Sequence, residues 1–362
     1  MTKTTRCSTA TYDPLAYGAV GNGVSDDSSA VVEAISAVPL SGGTVLLSRP
    51  FAVDQNVLIP AHVVVRFERE GRLLPRPGKA IGIEGAVDAP LMNIFDPAAD
   101  IRFGACSTAI LIPQWWGARG DGIHDDTEAL LAAVEALPRR GGHLRLPGGT
   151  YVVTQSILLS RKRDFQLSFD EMAWLRHLRG THYTLNVSAC SGFKLRNVRV
   201  CITDSEAAGA ILVNNGSCNG LIEKPVIQSF VPLTTSCIAI SVEGHSRRNV
   251  ILAPRVCKLS ATLDGEYAAG IRFIDGCVSS YVVGASIESA ATGIIVDDSS
   301  KVSEAGSTFK RLSRRRIPRK RLFEQVGSTI YSLSASNFLS GIFSKLRRPS
   351  DQRITQVTTI VP

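Results

Sequence analysis

The sequence predicts an all-β chain, a solenoid of short strands entered through two capping helices that belong to a duplicated unit. Three observations carry that prediction. A segment near the N-terminus recurs at an offset of 99 residues, short β-rich runs follow one another after about residue 150, and no long helical periodicity interrupts those runs. At 362 residues, 44% hydrophobic and 20% charged, the chain has the composition of a globular protein. No apolar run approaches the roughly 18 residues of a membrane span. The polar start, Met1 to Cys7, lacks the apolar core of a standard secretory signal.

The duplicated unit is built from local signals taken in chain order. Tyr17-Gly-Ala-Val-Gly-Asn-Gly-Val-Ser-Asp-Asp27 recurs as Trp116-Gly-Ala-Arg-Gly-Asp-Gly-Ile-His-Asp-Asp126, and residues 17–47 match 116–146 at 13 of 31 positions. The glycines at 21, 23, 120 and 122 permit tight turns at positive φ. The paired aspartates then start a helix, with Asp125-Asp126-Thr127-Glu128 reading as a capping box. Apolar stripes follow at helical spacing: Val31, Val32, Ile35 and Val38 in one copy, Leu130, Leu131, Val134 and Leu137 in the other. Pro39 and Pro138 stop the helices, and the strand-like runs 44–47 and 143–146 come next.

Beyond residue 150 the strands are Tyr183–Val187, Gly209–Val213, Cys237–Val242, Gly270–Ile274 and Gly293–Val296, bounded by Gly, Asn, Asp and Ser. Several are followed by a polar turn and a second strand, such as Asn249–Leu252 or Tyr281–Val283. The unit recurs every 23–33 residues or so, within the range of solenoid repeats. The eight cysteines contain no CxxC pair, so they read as reduced, mostly buried thiols and not as a zinc site. Those at 201, 218, 237, 257 and 277 lie 17 to 20 residues apart, compatible with one interior stack or with several faces.

The run from Trp116 to Glu128, with Gly141-Gly-His-Leu-Arg-Leu-Pro-Gly-Gly-Thr-Tyr-Val152, resembles the entry to the pectate-lyase-like superfamily. That resemblance implies a right-handed single-stranded parallel β-helix with two N-terminal capping helices. It divides the chain into an N-terminal tail (1–11), a first, degenerate capped unit (12–110), the main β-helix (111–305), and a basic linker with C-terminal tail (306–362). A short capped unit followed by Gln114-Trp-Trp-Gly117 and a longer unit is similar to phage tailspikes. The resemblance therefore implies recognition, with depolymerisation as an added activity, of a bacterial surface polysaccharide. It also implies a homotrimer, contacts with other virion proteins, and a place in a virion tail or otherwise at a cell surface. The alternatives are a cellular lyase or epimerase acting on uronate polymers, and a non-catalytic adhesin or structural spike. No cofactor and no metal is called for.

Fold alone does not specify chemistry. Hydrolysis would need two carboxylates across a glycosidic bond, and a lyase would need a base with a neutralising cation or metal. The polygalacturonase pattern is absent, since Gly244-His-Ser246 precedes Asp297-Asp298 and neither NTD nor RIK occurs. The catalytic candidates are Glu243, Asp264, Glu266 and Asp275, with His245, Arg247 and Arg272 as substrate-binding candidates. Stacked coils would bring Glu243, Arg272 and Asp275 onto one face, with Asp264 and Glu266 in a flanking loop. The plainer alternative for each is a solvated turn or ladder group. For Asp26, Asp27, Asp125 and Asp126 helix capping outweighs catalysis, and for Trp115 and Trp116 packing between the units outweighs sugar stacking.

The formal charge of +8 first suggests an acidic partner. Residues 310–362 hold twelve Lys/Arg against Glu324 and Asp351, which leaves residues 1–309 at net −2. Eight of the twelve residues in 310–321 are basic, the composition of a solvated linker, so nucleic acid is not the expected partner.

Overall fold

Alternation decides the architecture. In strands such as Gln166–Phe169, Ala173–His177 and Arg199–Ile202 the buried side chains are every second residue in the strand, and the strands pair in parallel with no chain reversal between partners. A chain that pairs each strand in parallel with the one a full coil later winds into a helix, here a right-handed parallel β-helix. The computed structural model describes residues 10–310 apart from 106, 108, 234–235, 260–267, 289 and 291. The basic run beyond Lys310 lies outside the described residues.

The main body has three faces. The first sheet has eight strands, from Ile110–Leu111 and His143–Leu146 to Lys301–Ala305; the second has eight, from Asp121–Asp125 to Thr308–Lys310; the third has six, from Ile157–Ser160 to Thr292–Val296. The interior is built of ladders of identical register. Ile157, Leu185, Ile211, Ile240, Ile271 and Ile294 stack down the third sheet. Tyr151 and Leu175, then Val200, Ile227, Val256 and Ile287, do so down the second. Each such aliphatic contributes roughly 1.5–3 kcal/mol by leaving water. Coil length varies without disturbing the ladder: Ile240 meets Ile271, 31 residues on, whereas Ile271 meets Ile294 after 23.

The turn from the third sheet to the first is itself stacked. Asn215, His245 and Asp275 all adopt left-handed φ of 53–59° at equivalent places, and His245 N donates to Asp275 O at 2.8 Å. Just inside this turn a small polar side chain recurs. Ser217 Oγ donates to Asn214 O (2.7 Å), Ser246 Oγ donates to Glu243 O (2.6 Å), and Cys190 and Cys277 direct Sγ at carbonyls in the same way. The cysteines are thus on several faces and not in one stack. Cys201 and Cys257 point outward from the second sheet, Cys218 sits in a turn, and Cys237 and Cys277 are buried; all five are free thiols.

The first unit repeats the plan in miniature, with parallel sheets of four, two and three strands. Its helix α1 (Ser28–Ser36) and the second helix α2 (Thr127–Ala136) occupy equivalent places, each preceded by a 3-10 turn, Pro14–Tyr17 and Pro113–Trp116. The capping-box expectation needs correction. The side chains of the N-cap residues Asp27 and Asp126 make no hydrogen bond to the helix they precede. Asp126 instead reaches back to accept from Arg119 N (2.6 Å) and Gly120 N (3.1 Å), and Asp27 does the same with Val20 N and Gly21 N. The glycine loop offers two closely spaced N–H groups, and these outcompete the helix for the carboxylate. The preceding Asp125 takes the first helical N–H, from Thr127 (3.0 Å).

Between the units lies an aromatic cluster. Trp115 and Trp116 are buried with Phe95 and Phe103, at ring separations of 5.4–6.4 Å, so the two tryptophans are packing residues. Trp115 O receives both Ile94 N and Phe95 N (2.9 Å each), which ties the last coil of the first unit to the 3-10 turn of the second. Lys162 is buried under α2 and donates Nζ to Leu137 O (2.7 Å), occupying one of the carbonyls that a helix end leaves without a partner.

Candidate functional site

The outer face of the third sheet carries a polar cluster where the rest of its middle row is Leu158, Asn186, Leu212 and Ile295. Ser241 and Arg272 are register partners in that row, and Glu243 follows the end of strand Ile238–Val242. Arg272 Nη2 donates to Glu243 Oε1 at 2.7 Å and Nε donates to Ser241 Oγ at 3.1 Å; Ser241 Oγ donates to the same Glu243 oxygen at 2.7 Å. The Tyr183 hydroxyl lies 3.4 Å from Arg272 Nη2. Four side chains from three coils therefore meet at one place.

Burial sets the electrostatics of this group. The Arg272 and Glu243 side chains are 28% and 23% exposed, so the pair is neither solvent-screened nor sealed. Burial pushes the Tyr183 phenol above its ordinary value, which makes it a neutral hydrogen-bonding group at physiological pH. Its ring lies across Gly209, where an added Cβ would sit 2.5 Å from Tyr183 Cε1 and 1.9 Å from Ile238 O. Glycine at 209 is what allows the tyrosine to reach the neighbouring coils.

Next to Tyr183 is a histidine pair, His177 buried and His182 half-buried. His177 occupies an interior position of the second sheet, between Val153 and Ile202 in register. Its Nε2 donates to Gly180 O (2.9 Å) and its Nδ1 meets Thr184 Oγ1 (3.1 Å), while the His182 ring packs on it at 4.6 Å. Burial lowers the pKa of both rings, so the pair is held neutral. Gly180 N donates to Asp204 Oδ2 (2.6 Å), fixing the loop that leads into Tyr183.

Of the residues singled out from sequence, Glu243 and Arg272 come together. Asp275, His245 and Arg247 do not join them: they are exposed residues of the stacked turn at the edge of the third sheet. Arg247 continues a backbone ladder between Cys218 and Val278, and Asp275 N donates to Asp297 Oδ2 (2.9 Å). Asp264 and Glu266 lie outside the described residues. Tyr183 and Ser241 carry no charge and belong to no motif, so little in the sequence marks them. The available signal was Ser241 at an outward position of an otherwise apolar strand.

No protein-family model and no curated protein sequence matches this chain. Solved structures with a similar path include a surface adhesin of Streptococcus pneumoniae (TM-score 0.42, 11% identity, 84% of this chain and 91% of that one). Another is gene product 12 of bacteriophage phi29 (TM-score 0.35, 12% identity, 83% and 57%). A third is an exopolygalacturonase from Thermotoga maritima (TM-score 0.28, 11% identity, 83% and 92%). The strand pairing itself shows a parallel β-helix.

Proposed function

We propose that the chain is a tailspike-like protein that recognises a bacterial surface polysaccharide along the outer face of its third sheet. The observation that supports this most is the Glu243–Arg272 pair with Ser241 and Tyr183, assembled across three coils on an extended face. A half-buried guanidinium, a carboxylate and two hydroxyls offer the mixed donors and acceptors that a sugar presents in return. In this reading the protein works as a homotrimer among other virion proteins, as the tailspike resemblance of the Gly/Asp motif implies.

Cleavage requires more than this cluster holds. Glycoside hydrolysis uses two carboxyl groups, about 5–5.5 Å apart for retention and about 6.5–9.5 Å apart for inversion. Among the described residues, Glu243 is the one carboxylate in the cluster. Recognition without cleavage is the second reading, and the single carboxylate favours it; Asp264 and Glu266 are the residues that would complete a catalytic pair. The test is binding and turnover of a panel of bacterial capsular and lipopolysaccharide glycans. Arg272→Ala is expected to weaken binding by about tenfold or more. Unchanged binding in a folded Arg272→Ala protein would overturn the reading. New reducing ends lost in Glu243→Gln, Asp264→Asn or Glu266→Gln identify a hydrolase, and unsaturated-uronate absorbance identifies a lyase.

A further inference from the structure

The outer face of the second sheet differs from the other two in the state of its charges. Arg199, Val226 and Arg255 are successive register partners in one outward row, and Trp174 lies on the coil before them with the Arg199 guanidinium 5.8 Å from its ring centroid. The neighbouring row runs Asp125, Val152, Arg176, Cys201, Gln228 and Cys257. Just past its edge Lys258 Nζ stands 5.5 Å from the ring centroid of Phe230, itself 58% exposed.

Among the described residues, Arg176, Arg199, Arg255 and Lys258 form no ion pair with any carboxylate. The outward arginines of the first sheet do so: Arg145 with Asp170 (2.8 Å) and Arg196 with Glu223 (3.1 Å). The carboxylates in the two rows are at their ends: Asp121 and Asp125 at the start, bonded to His124 and to Thr127 and Thr154, and Glu288 at the C-terminal end. Arg176 spends one donor, Nη1, on Gly122 O (3.1 Å). Cations held on a rigid sheet without carboxylate partners raise the local potential, and an anionic ligand lowers it.

The spacing selects among anions. Neighbouring strands are about 4.8 Å apart, so Arg176 and Arg199 lie one coil apart and Arg199 and Arg255 two coils, about 10 Å. This is a thin line of charge at low density along the helix axis. Duplex nucleic acid carries one charge per roughly 1.7 Å, and its binders typically neutralise about 6–10 phosphates, more than this strip supplies. A linear glycan with a carboxylate on every sugar or every second sugar matches the line, and the half-buried indole offers an apolar surface for a ring.

We propose that the outer face of the second sheet binds an acidic glycan, with its carboxylates on Arg176, Arg199 and Arg255 and its sugars against Trp174. This is a site separate from the third-sheet cluster and does not depend on it.

The experiment uses the full chain and three probes: alginate as the carboxylated glycan, dextran as a neutral one, and a DNA duplex. Arg199→Ala/Arg255→Ala is expected to weaken alginate binding about tenfold and to leave dextran unaffected. Arg145→Ala/Arg196→Ala removes the same charge from the first sheet and leaves alginate binding within about twofold, which separates a site from bulk attraction to the basic C-terminal region. The proposal falls if the second-sheet variant binds alginate like the parent, or if both double variants lose equally. It also falls if the duplex binds more tightly than alginate and loses affinity in the second-sheet variant. Should that variant fold poorly, Arg255→Glu alone, at an exposed position, must weaken alginate binding; undiminished affinity there overturns the proposal. The loss must persist in an Arg272→Ala background, so failure of the third-sheet reading is told apart from failure of this one.

Discussion

The first unit and the main body start from the same sequence and end with different burdens. In both, the second aspartate of the pair clamps the glycine loop through two backbone N–H groups at nearly the same distances. The difference lies in what covers the motif. Tyr17 is half-buried at the outer end of the first unit, whereas its counterpart Trp116 is 1% exposed within the aromatic cluster between the units. Helix α2 touches the last strand of the first unit as well as its own coils, and Lys162 holds its C-terminal end. Duplication therefore preserves local hydrogen bonding, while position in the stack decides how much energy hangs on each copy.

That contrast is open to measurement. The largest effect is expected at Trp116→Ala, about 3–5 kcal/mol off the unfolding free energy in denaturant titrations. Tyr17→Ala should cost less, and equal losses would break the comparison. Next come Asp126→Ala and Asp27→Ala, each expected to cost about 1–3 kcal/mol because two buried or part-buried N–H groups lose their acceptor. Since the bonding is the same in both copies, these two should agree; a loss confined to one would show that the clamp depends on its surroundings. Lys162→Met should cost about 0.5–2 kcal/mol, as loss of a helix cap does, visible as reduced amide-exchange protection at the end of α2.

The smallest effect is one of pH and belongs to the main body alone. His177 and His182 have pKa values below the ordinary 6.5 because burial disfavours their charged forms. The unfolded chain therefore binds more protons than the folded one as pH falls below 6.5, so stability declines there and is unaffected above it. Melting temperatures taken from pH 7.5 to 5 should fall, and the slope should shrink in His177→Gln. A flat profile in the parent would remove the histidine pair as its cause.

Much of the fold was legible because helix ends, glycine turns and aliphatic runs are local signals. The runs at 183, 209, 237, 270 and 293 all prove to be strands of one sheet, and 249–252 and 281–283 belong to a second. The remaining sheet was not seen. Its later strands, such as Arg255–Cys257 and Ser286–Glu288, are three residues long with one buried residue each, too short to show a period. In its earlier ones, such as Ala173–His177 and Arg199–Ile202, the outward positions hold charged, aromatic and thiol groups, and no turn residue directly flanks the strand. The site was legible only in part for a related reason. Glu243 and Arg272 are 29 residues apart, and whether they meet depends on the length of the intervening coil. Asp275 was expected beside them, but it is three residues past Arg272, and the chain has already entered the left-handed turn by then. The clamp by Asp126 was hidden because a carboxylate beside a helix start and one beside a glycine loop look alike in sequence.

The unequal coils have a consequence for how such a molecule changes over time. The coil from Ile240 to Ile271 holds eight more residues than the one from Ile271 to Ile294, yet both keep the same aliphatic partners. A change in the length of the connection between the second and third sheets thus leaves the ladder register as it was. A scaffold whose ladder ignores the length of a connection can change what that connection carries while its interior stays unaware of the exchange.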